Sequence, residues 1–409
     1  MASLIEKVSI HGFRGAREVE LRPGGLCALV GEASSGKSTV LTAIWMLLEA
    51  AAPVPTAEDV SQGESRVLVE GSSGGRAIFL DARPPATLNL NRDAAPPTIF
   101  FPAGLRGTSL VSPVTTTDAA RATVLMSALR GAASIVEALE QLCDAHLSGV
   151  VLLIEEPELY LSPQAQRYLY RLLRRFAAQE NQILYSTHAA TFLSVAHLEE
   201  LALVRHIEGR GTILCQPPAL PTDESFRALT EFDAERSEVF LARAALLVEG
   251  ITEKLAFPFV FEALGYDADR EAVAIIECGG KANMPLFARI CAECGIPFLL
   301  VHDRDAPRGR RPNDSELATN RSLVEIAGRK RTVTLVPDFE GVMGLSSRNR
   351  KPRRAYAQLL NGGPVPKPLV DAVERVVAAS RGTATERRSD LDAAEAVQHG
   401  RRQPAPSRP

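Results

Sequence analysis

Two groups of residues in this 409-residue chain have the types and spacings that handle phosphate. The first is Gly31-Glu32-Ala33-Ser34-Ser35-Gly36-Lys37-Ser38, with Thr39 next. Its glycines let the backbone curl so that N–H groups face phosphate oxygens, and the N-terminus of a following helix adds positive potential. Ser34, Ser35, Gly36 and Thr39 then lie in the cradle of a nucleoside triphosphate such as ATP. Lys37 reaches its β- and γ-phosphates and Ser38 coordinates Mg²⁺. Downstream, the apolar run 149–154 ends in Glu155 and Glu156. One acid at the end of a buried strand can hold the water shell of Mg²⁺, and the next can polarise an attacking water. His188 closes the following strand, where it can contact the γ-phosphate.

The second group is made of carboxylates. Glu249 ends the run ALLVEG and Glu253 lies four residues on, a spacing that returns it to the strand end if a helix starts there. Asp303 and Asp305 end another apolar run as D-x-D. Parallel strands put their C-terminal ends along one edge, so all four acids can converge. Hard oxygen ligands of this kind suit Mg²⁺ or Mn²⁺ and not zinc. Two such ions can activate water and stabilise the leaving oxygen in phosphodiester cleavage.

Both groups require strands that deliver side chains to one edge. The fold class expected is α/β. Residues 3–10 and 26–30 read as strands, the second running into the glycine loop and a helix. Short strands over 66–70 and 76–81 flank a Ser-Gly-Gly turn, and a Pro-rich stretch over 83–113 contains one apolar run, TIFF. Helical periodicity spans 117–146 and about 163–178, with a strand at 149–154 between them and another over QILYST. A second βα series runs through 245–250, 272–277, 297–303 and 332–338, and two such series mean two α/β domains. The expected domains are 1–217, a polar junction over 218–242, and 243–378. Residues 379–409 are expected to form a basic, disordered tail.

The combination IEEPELYLSPQAQ followed by STH, with the opening KVSIHGFRGAREVEL, resembles the ABC-type ATPase half of OLD (overcoming lysogenization defect) family endonucleases over roughly residues 3–210. The family's signature Ser-x-Gly loop has no clear counterpart; Leu129-Arg130-Gly131 is nearest by position, and Leu147-Ser148-Gly149 abuts the strand. Because such ATP sites are shared between subunits, the resemblance implies a homodimer or higher homo-oligomer. Over 243–360, LLVEGITEK, IECGGKANMP and FLLVHDRD look like a Toprim domain, the Rossmann-like catalytic fold of topoisomerases, bacterial primases and OLD nucleases. The resemblance implies Glu249, Asp303 and Asp305 as metal ligands, with Glu253 assisting. Lys281 of the turn Cys278-Gly279-Gly280-Lys281 would neutralise a phosphate. VPDFEGVMGL resembles the segment that completes a second metal site, here through Glu340, with Asp338 the less favoured neighbour. Lys351 stands where the OLD pattern has a lysine that can stabilise the transition state.

The chain has 46 Lys and Arg against 49 Asp and Glu, which by itself suggests no nucleic-acid partner. Residues 342–409, however, hold 13 Lys and Arg against 6 Asp and Glu, a basic segment that begins just past Glu340. Glu6 and Lys7 interrupt what a secretory signal would need, and no apolar stretch reaches the ~20 residues of a membrane span, so a cytoplasmic protein is expected. Cys291 and Cys294 form one C-x-x-C, but zinc needs four ligands and no second pair or matching His follows, so the cysteines read as small buried or half-buried thiols. The function expected is a metal-dependent DNA endonuclease controlled by ATP, acting in phage defence or DNA processing, with a partner protein open. The competing expectation is an ATP-switched DNA clamp or sensor that does not cut. Primase-like polymerisation has no zinc module or polymerase segment to support it.

Overall fold

A computed structural model describes residues 4–50, 52–103, 129, 132–193, 197–221, 227–228, 230–304, 314–345, 355, 357–359 and 363–382. The chain divides into two compact units, residues 1–216 and 217–409.

The first unit contains two sheets. Strands β1 (Lys7–Phe13), β2 (Ala16–Leu21), β4 (Val67–Ser73), β5 (Arg76–Arg83) and β6 (Thr87–Asn91) form an antiparallel sheet in the order β2-β1-β4-β5-β6. The site-bearing sheet has the order β11-β10-β3-β9-β8-β7. It comprises β3 (Leu26–Val30), β7 (Thr98–Phe101), β8 (Val151–Glu155), β9 (Gln182–Thr187), β10 (Leu201–Ile207) and β11 (Gly211–Cys215). Neighbours are parallel from β10 across to β7, and only β11 runs antiparallel, on β10. All five residues of β3 and all six of β9 are buried, which is why these strands read as unbroken or nearly unbroken apolar runs.

Helix α1 (Lys37–Leu48) follows β3. Val40, Leu41, Ile44 and Leu47 are buried in a core that also takes Ile10, Val69 and Leu80 of the antiparallel sheet and Leu153 and Leu184 of the parallel one. Helices α2 (Ile135–Asp144) and α3 (Pro163–Ala178) start on serine caps: Ser134 accepts from the Glu137 N–H at 3.2 Å and Ser162 from the Ala165 N–H at 3.3 Å. A one-turn helix, α4 (Ala190–Leu193), follows β9.

In the second unit, β12 (Ala244–Val248), β13 (Val273–Glu277), β14 (Phe298–Asp303) and β15 (Thr332–Leu335) form a fully parallel sheet in the order β13-β12-β14-β15. Helices α5 (Ile251–Ala263), α6 (Met284–Glu293), α7 (Asp314–Ala327), α8 (Phe339–Val342) and α9 (Lys367–Arg381) connect or follow these strands. Phe257 and Phe261 of α5 and Val373 and Val376 of α9 pack on Leu246 and Val248.

Several expected elements differ from those found. The stretch read as a polar junction contains a 3-10 helix, Arg236–Leu241, and two buried aromatics, Phe232 and Phe240. Phe232 stacks on Phe287 of α6 with ring centroids 4.6 Å apart. Its polar composition hid two anchors of the second unit's packing. Helix α9 runs to Arg381 and buries an apolar stripe that includes Leu369, Val373, Val376 and Val377. Most of the helical pattern over 117–134, Arg130 and Gly131 of the signature-loop candidate, and residues 383–409 lie outside the described residues. All six cysteines are buried and none forms a disulfide. Among the described residues, no helix is long and apolar enough to cross a membrane.

Candidate functional site

The glycine loop leaves β3 and enters α1 at the centre of the parallel sheet. A Cβ on Gly31 would sit 2.0 Å from the Val204 carbonyl of β10, and one on Gly36, at φ 107°, would sit 2.2 Å from Thr212 Oγ1 of β11. Only glycine fits at either position. Thr212 also donates its hydroxyl to the Ser35 carbonyl at 3.2 Å and its N–H to the Gly15 carbonyl at 2.7 Å, so β11 supports the loop from behind. No side chain caps the N-terminus of α1, which leaves its first N–H groups to an anion. Lys37 is the first residue of that helix, and its Nζ donates to the carbonyls of Gly31 at 2.9 Å and Glu32 at 2.7 Å. Burial pushes its pKa down to about 8, against the pull of Glu156, Glu158 and Glu32. Ser34 and Ser38 are exposed and Thr39 is half-buried. Ser35 is buried with its hydroxyl unpartnered, an orphan polar atom inside a cradle shaped for phosphate. These residues fit a nucleoside triphosphate.

Glu155 ends β8, and Glu156 follows at φ 45° with its N–H donating to the Ser186 carbonyl at 3.1 Å. Since β9 lies between β3 and β8, the residues after all three strands share one edge. His188 Nε2 lies 3.5 Å from Glu156 Oε1. Burial, and then the charge of Lys37, hold the His188 imidazole below its ordinary pKa. The structure thus brings Lys37, Glu156 and His188 into one electrostatic neighbourhood. Glu158 joins them: it is buried and accepts from the Thr187 hydroxyl and the His188 N–H at 2.8 and 2.7 Å. Sequence reasoning missed this residue, because a third acid in EEPE looks like a solvated one.

In the second unit, Glu249 directly follows β12 and Glu253 stands in the first turn of α5. Asp303 ends β14, the neighbour of β12. Glu249 Oε2 accepts from the Asp303 N–H at 3.4 Å, and Asp303 Oδ1 accepts from the Phe339 N–H at 2.8 Å. Burial, followed by the charges of Glu253 and Glu249, pushes the Asp303 carboxyl up to about 8. Burial, with Glu249 and Glu340 adding, pushes Glu253 up to about 7. Four acids, one just after β12 and the others from α5, β14 and α8, therefore repel one another in a partly dry site, a donor set that a divalent cation would relieve. Among the described residues, no three His, Cys, Asp or Glu side chains close into a formed metal-holding group. Asp305 and Lys351 lie outside the described residues. Asp338 caps α8 by accepting from the Gly341 N–H at 2.7 Å, which gives this acid a structural use.

The Gly279-Gly280-Lys281 turn ties the two acid-bearing strand ends together. Gly280 N–H donates to the Glu249 carbonyl at 2.8 Å, and Lys281 Nζ donates to the Asp303 carbonyl. The turn is held in its own place by Arg236. This guanidinium donates to the Glu277 carbonyl at 2.8 Å and to Glu277 Oε2 at 3.0 Å, while Glu277 Oε1 accepts from the Gly279 N–H at 3.0 Å. No sequence signal marked Arg236, because it comes from the segment that reads as a linker.

Comparison with known proteins adds to this geometry. Residues 240–305 match the family model described as overcoming lysogenization defect protein-like, TOPRIM domain. Residues 135–193 match an AAA ATPase domain model, and a third model, of a protein of unknown function, matches residues 3–57. The chain is 36% identical over 268 residues to the OLD nuclease of Thermus scotoductus, covering 59% of this chain and 50% of that protein. It is 26% identical over 165 residues to the Old nuclease of Escherichia phage P2, covering 39% of this chain and 28% of that one. The chain thus spans half or less of the length of these curated relatives. Among solved structures, the C-terminal region of the Burkholderia pseudomallei OLD protein matches at 18% identity and a TM-score of 0.22, covering 38% of this chain and 98% of that one. The SMC head domain from Thermotoga maritima matches at 15% identity and a TM-score of 0.36, covering 53% and 100%. Along this chain, a stretch similar to an AAA ATPase domain is thus followed by one similar to an OLD-like Toprim domain, and 268 residues are 36% identical to an OLD nuclease.

Proposed function

We propose that this chain is an ATP-binding, metal-dependent DNA endonuclease whose cutting site lies in the second unit. The observation that carries the reading is the gathering of Glu249, Glu253, Asp303 and Glu340 at the C-terminal edge of a parallel sheet, with Asp303 and Glu253 pushed up to about 8 and about 7. Acids crowded in this way suit Mg²⁺ or Mn²⁺, with Asp305 as a further ligand beside Asp303. When bound, such ions supply an activated water and a counter-charge for the leaving oxygen. The chain's own residues do the rest. Glu249, Asp303 and Asp305 are the ligands, Glu253 and Glu340 complete the acidic shell, and Lys281 brings positive charge against Asp303. Lys351 and the basic segment that follows Glu340 supply contacts to the phosphate backbone of DNA.

In the first unit, the N–H groups of the glycine loop and Lys37 hold the phosphates of ATP, and Ser38 and Glu155 hold its Mg²⁺. Glu156 orients the attacking water as its general base, and His188 reaches the γ-phosphate. ATP controls access to or activity of the cutting site, in phage defence or DNA processing. The working form is a homodimer or higher homo-oligomer, as the shared ATP sites of this architecture require.

The competing reading is an ATP-switched DNA clamp or sensor that does not cut. Incubation of supercoiled plasmid with the protein and Mn²⁺ separates the two. Nicking or linearisation supports the nuclease, and DNA binding without any cut supports the clamp. Lys37→Ala should lose binding of labelled ATP in either case, and normal binding by that variant overturns the nucleotide site.

A further inference from the structure

We propose that Glu158 is a positioning residue of the nucleotide site, fixing the loop after β9 so that His188 faces Glu156. This deepens the ATPase reading above and rests on it.

β9 ends at Thr187, so the next N–H, that of His188, has no strand to pair with. Glu158 supplies that partner from the turn after β8. Its Oε1 accepts from the His188 N–H at 2.7 Å and from the Thr187 hydroxyl at 2.8 Å, and the same hydroxyl accepts from the Ala189 N–H at 3.0 Å. On the other side, the Glu156 N–H donates to the Ser186 carbonyl at 3.1 Å and to its hydroxyl at 3.2 Å. The two loops that bear Glu156 and His188 are therefore laced together residue by residue, and Glu158 makes the link nearest the imidazole. Through that link His188 Nε2 stands 3.5 Å from Glu156 Oε1, although the His188 side chain is 37% exposed and packing alone does not confine it.

The chemistry of Glu158 is not that of an ordinary core residue. It is only 8% exposed, and its Oε2 is buried with no partner. Burial raises its pKa. A carboxylate in such a place costs desolvation that only one of its two oxygens offsets with hydrogen bonds. A residue serving stability alone would do as well with an apolar side chain of similar size. What an apolar residue cannot do is accept the His188 N–H and so set where the imidazole points. The Glu158 carboxyl also lies within the electrostatic reach of Lys37, so the charge that steadies the His188 loop also draws the phosphate-binding lysine.

The test uses the full chain and four variants: Glu158→Ala, Glu158→Gln, His188→Ala and the double variant Glu158→Ala/His188→Ala. Glu158→Ala should lower kcat for ATP hydrolysis at least ~10-fold while KM for ATP stays within ~3-fold. Glu158→Gln keeps a carbonyl oxygen able to accept both bonds and should recover most of the rate. The double variant should be no slower than His188→Ala alone, because the effect passes through His188. Wild-type kcat in Glu158→Ala, additive losses in the double variant, or a Gln variant as slow as the Ala variant would each overturn the proposal. If Glu158→Ala does not fold, Thr187→Val takes its place: a lower kcat at unchanged KM is expected, and a wild-type kcat counts against the proposal. Hydrogen exchange at the His188 amide is read in parallel, without any turnover. If the wild-type protein binds but does not hydrolyse ATP, the ATPase reading fails and the exchange decides: protection in wild type and Glu158→Gln but not in Glu158→Ala supports the positioning role, and equal exchange refutes it.

Discussion

Asp303 shows how much one residue's surroundings add to its identity. As the first acid of a D-x-D after an apolar run, it is legible in sequence as a candidate ligand, and so is Glu249. What the sequence does not display is the burial that pushes Asp303 up to about 8 and Glu253 up to about 7, since both values arise from groups on four separate elements. Without metal these acids favour the protonated form in the folded state, so their contribution to stability is full below the unfolded values near 4 and is lost as pH rises through 7 and 8. The expected outcome is a melting temperature in EDTA that falls between pH 6 and pH 9, and a fall that Mn²⁺ largely abolishes. A melting temperature with the same pH dependence with and without Mn²⁺ would contradict the coupling of these acids to a metal. Glu158 was invisible for the converse reason: a buried acid that accepts a main-chain N–H has the same one-letter signature as a solvated neighbour.

At the scale of elements, the strands buried on both faces were the legible ones. VLLIE, QILYST and FLLVHD stand out as short, largely apolar runs, and each is a parallel strand. Strand β6, Thr87–Asn91, is exposed or half-buried at every residue and offers no contrast to read. The 3-10 helix Arg236–Leu241 was missed because its anchoring aromatics are spaced among acids. That segment has a consequence for the site, since Arg236 holds the turn that joins the Glu249 and Asp303 strand ends. Arg236→Ala leaves Glu277 without its charged partner and should cost about 1–3 kcal/mol in the second unit. It should also raise the Mn²⁺ concentration needed for half-maximal binding, measured by electron paramagnetic resonance of free Mn²⁺. A variant that binds Mn²⁺ as the wild type does would show that the turn keeps its shape without this clamp.

At the scale of the whole molecule, the near balance of 46 basic and 49 acidic residues conceals an uneven distribution. The acids that gather in the second unit belong to the larger, more acidic part of the chain, and the basic residues concentrate after Glu340. Both site-bearing sheets put their chemistry at the C-terminal edge of parallel strands, where helix N-termini and turn N–H groups face outward. The second of these edges is proposed to cut DNA through its carboxylates. Conversion of supercoiled plasmid in Mg²⁺ or Mn²⁺, compared among wild type, Asp303→Ala and Glu249→Ala, tests it most directly. The expected result is metal-dependent nicking by the wild type, abolished by EDTA and reduced at least ~100-fold in each variant, the scale expected when groups acting together in transition-state stabilisation are removed singly. Nicking that persists in both variants would contradict it.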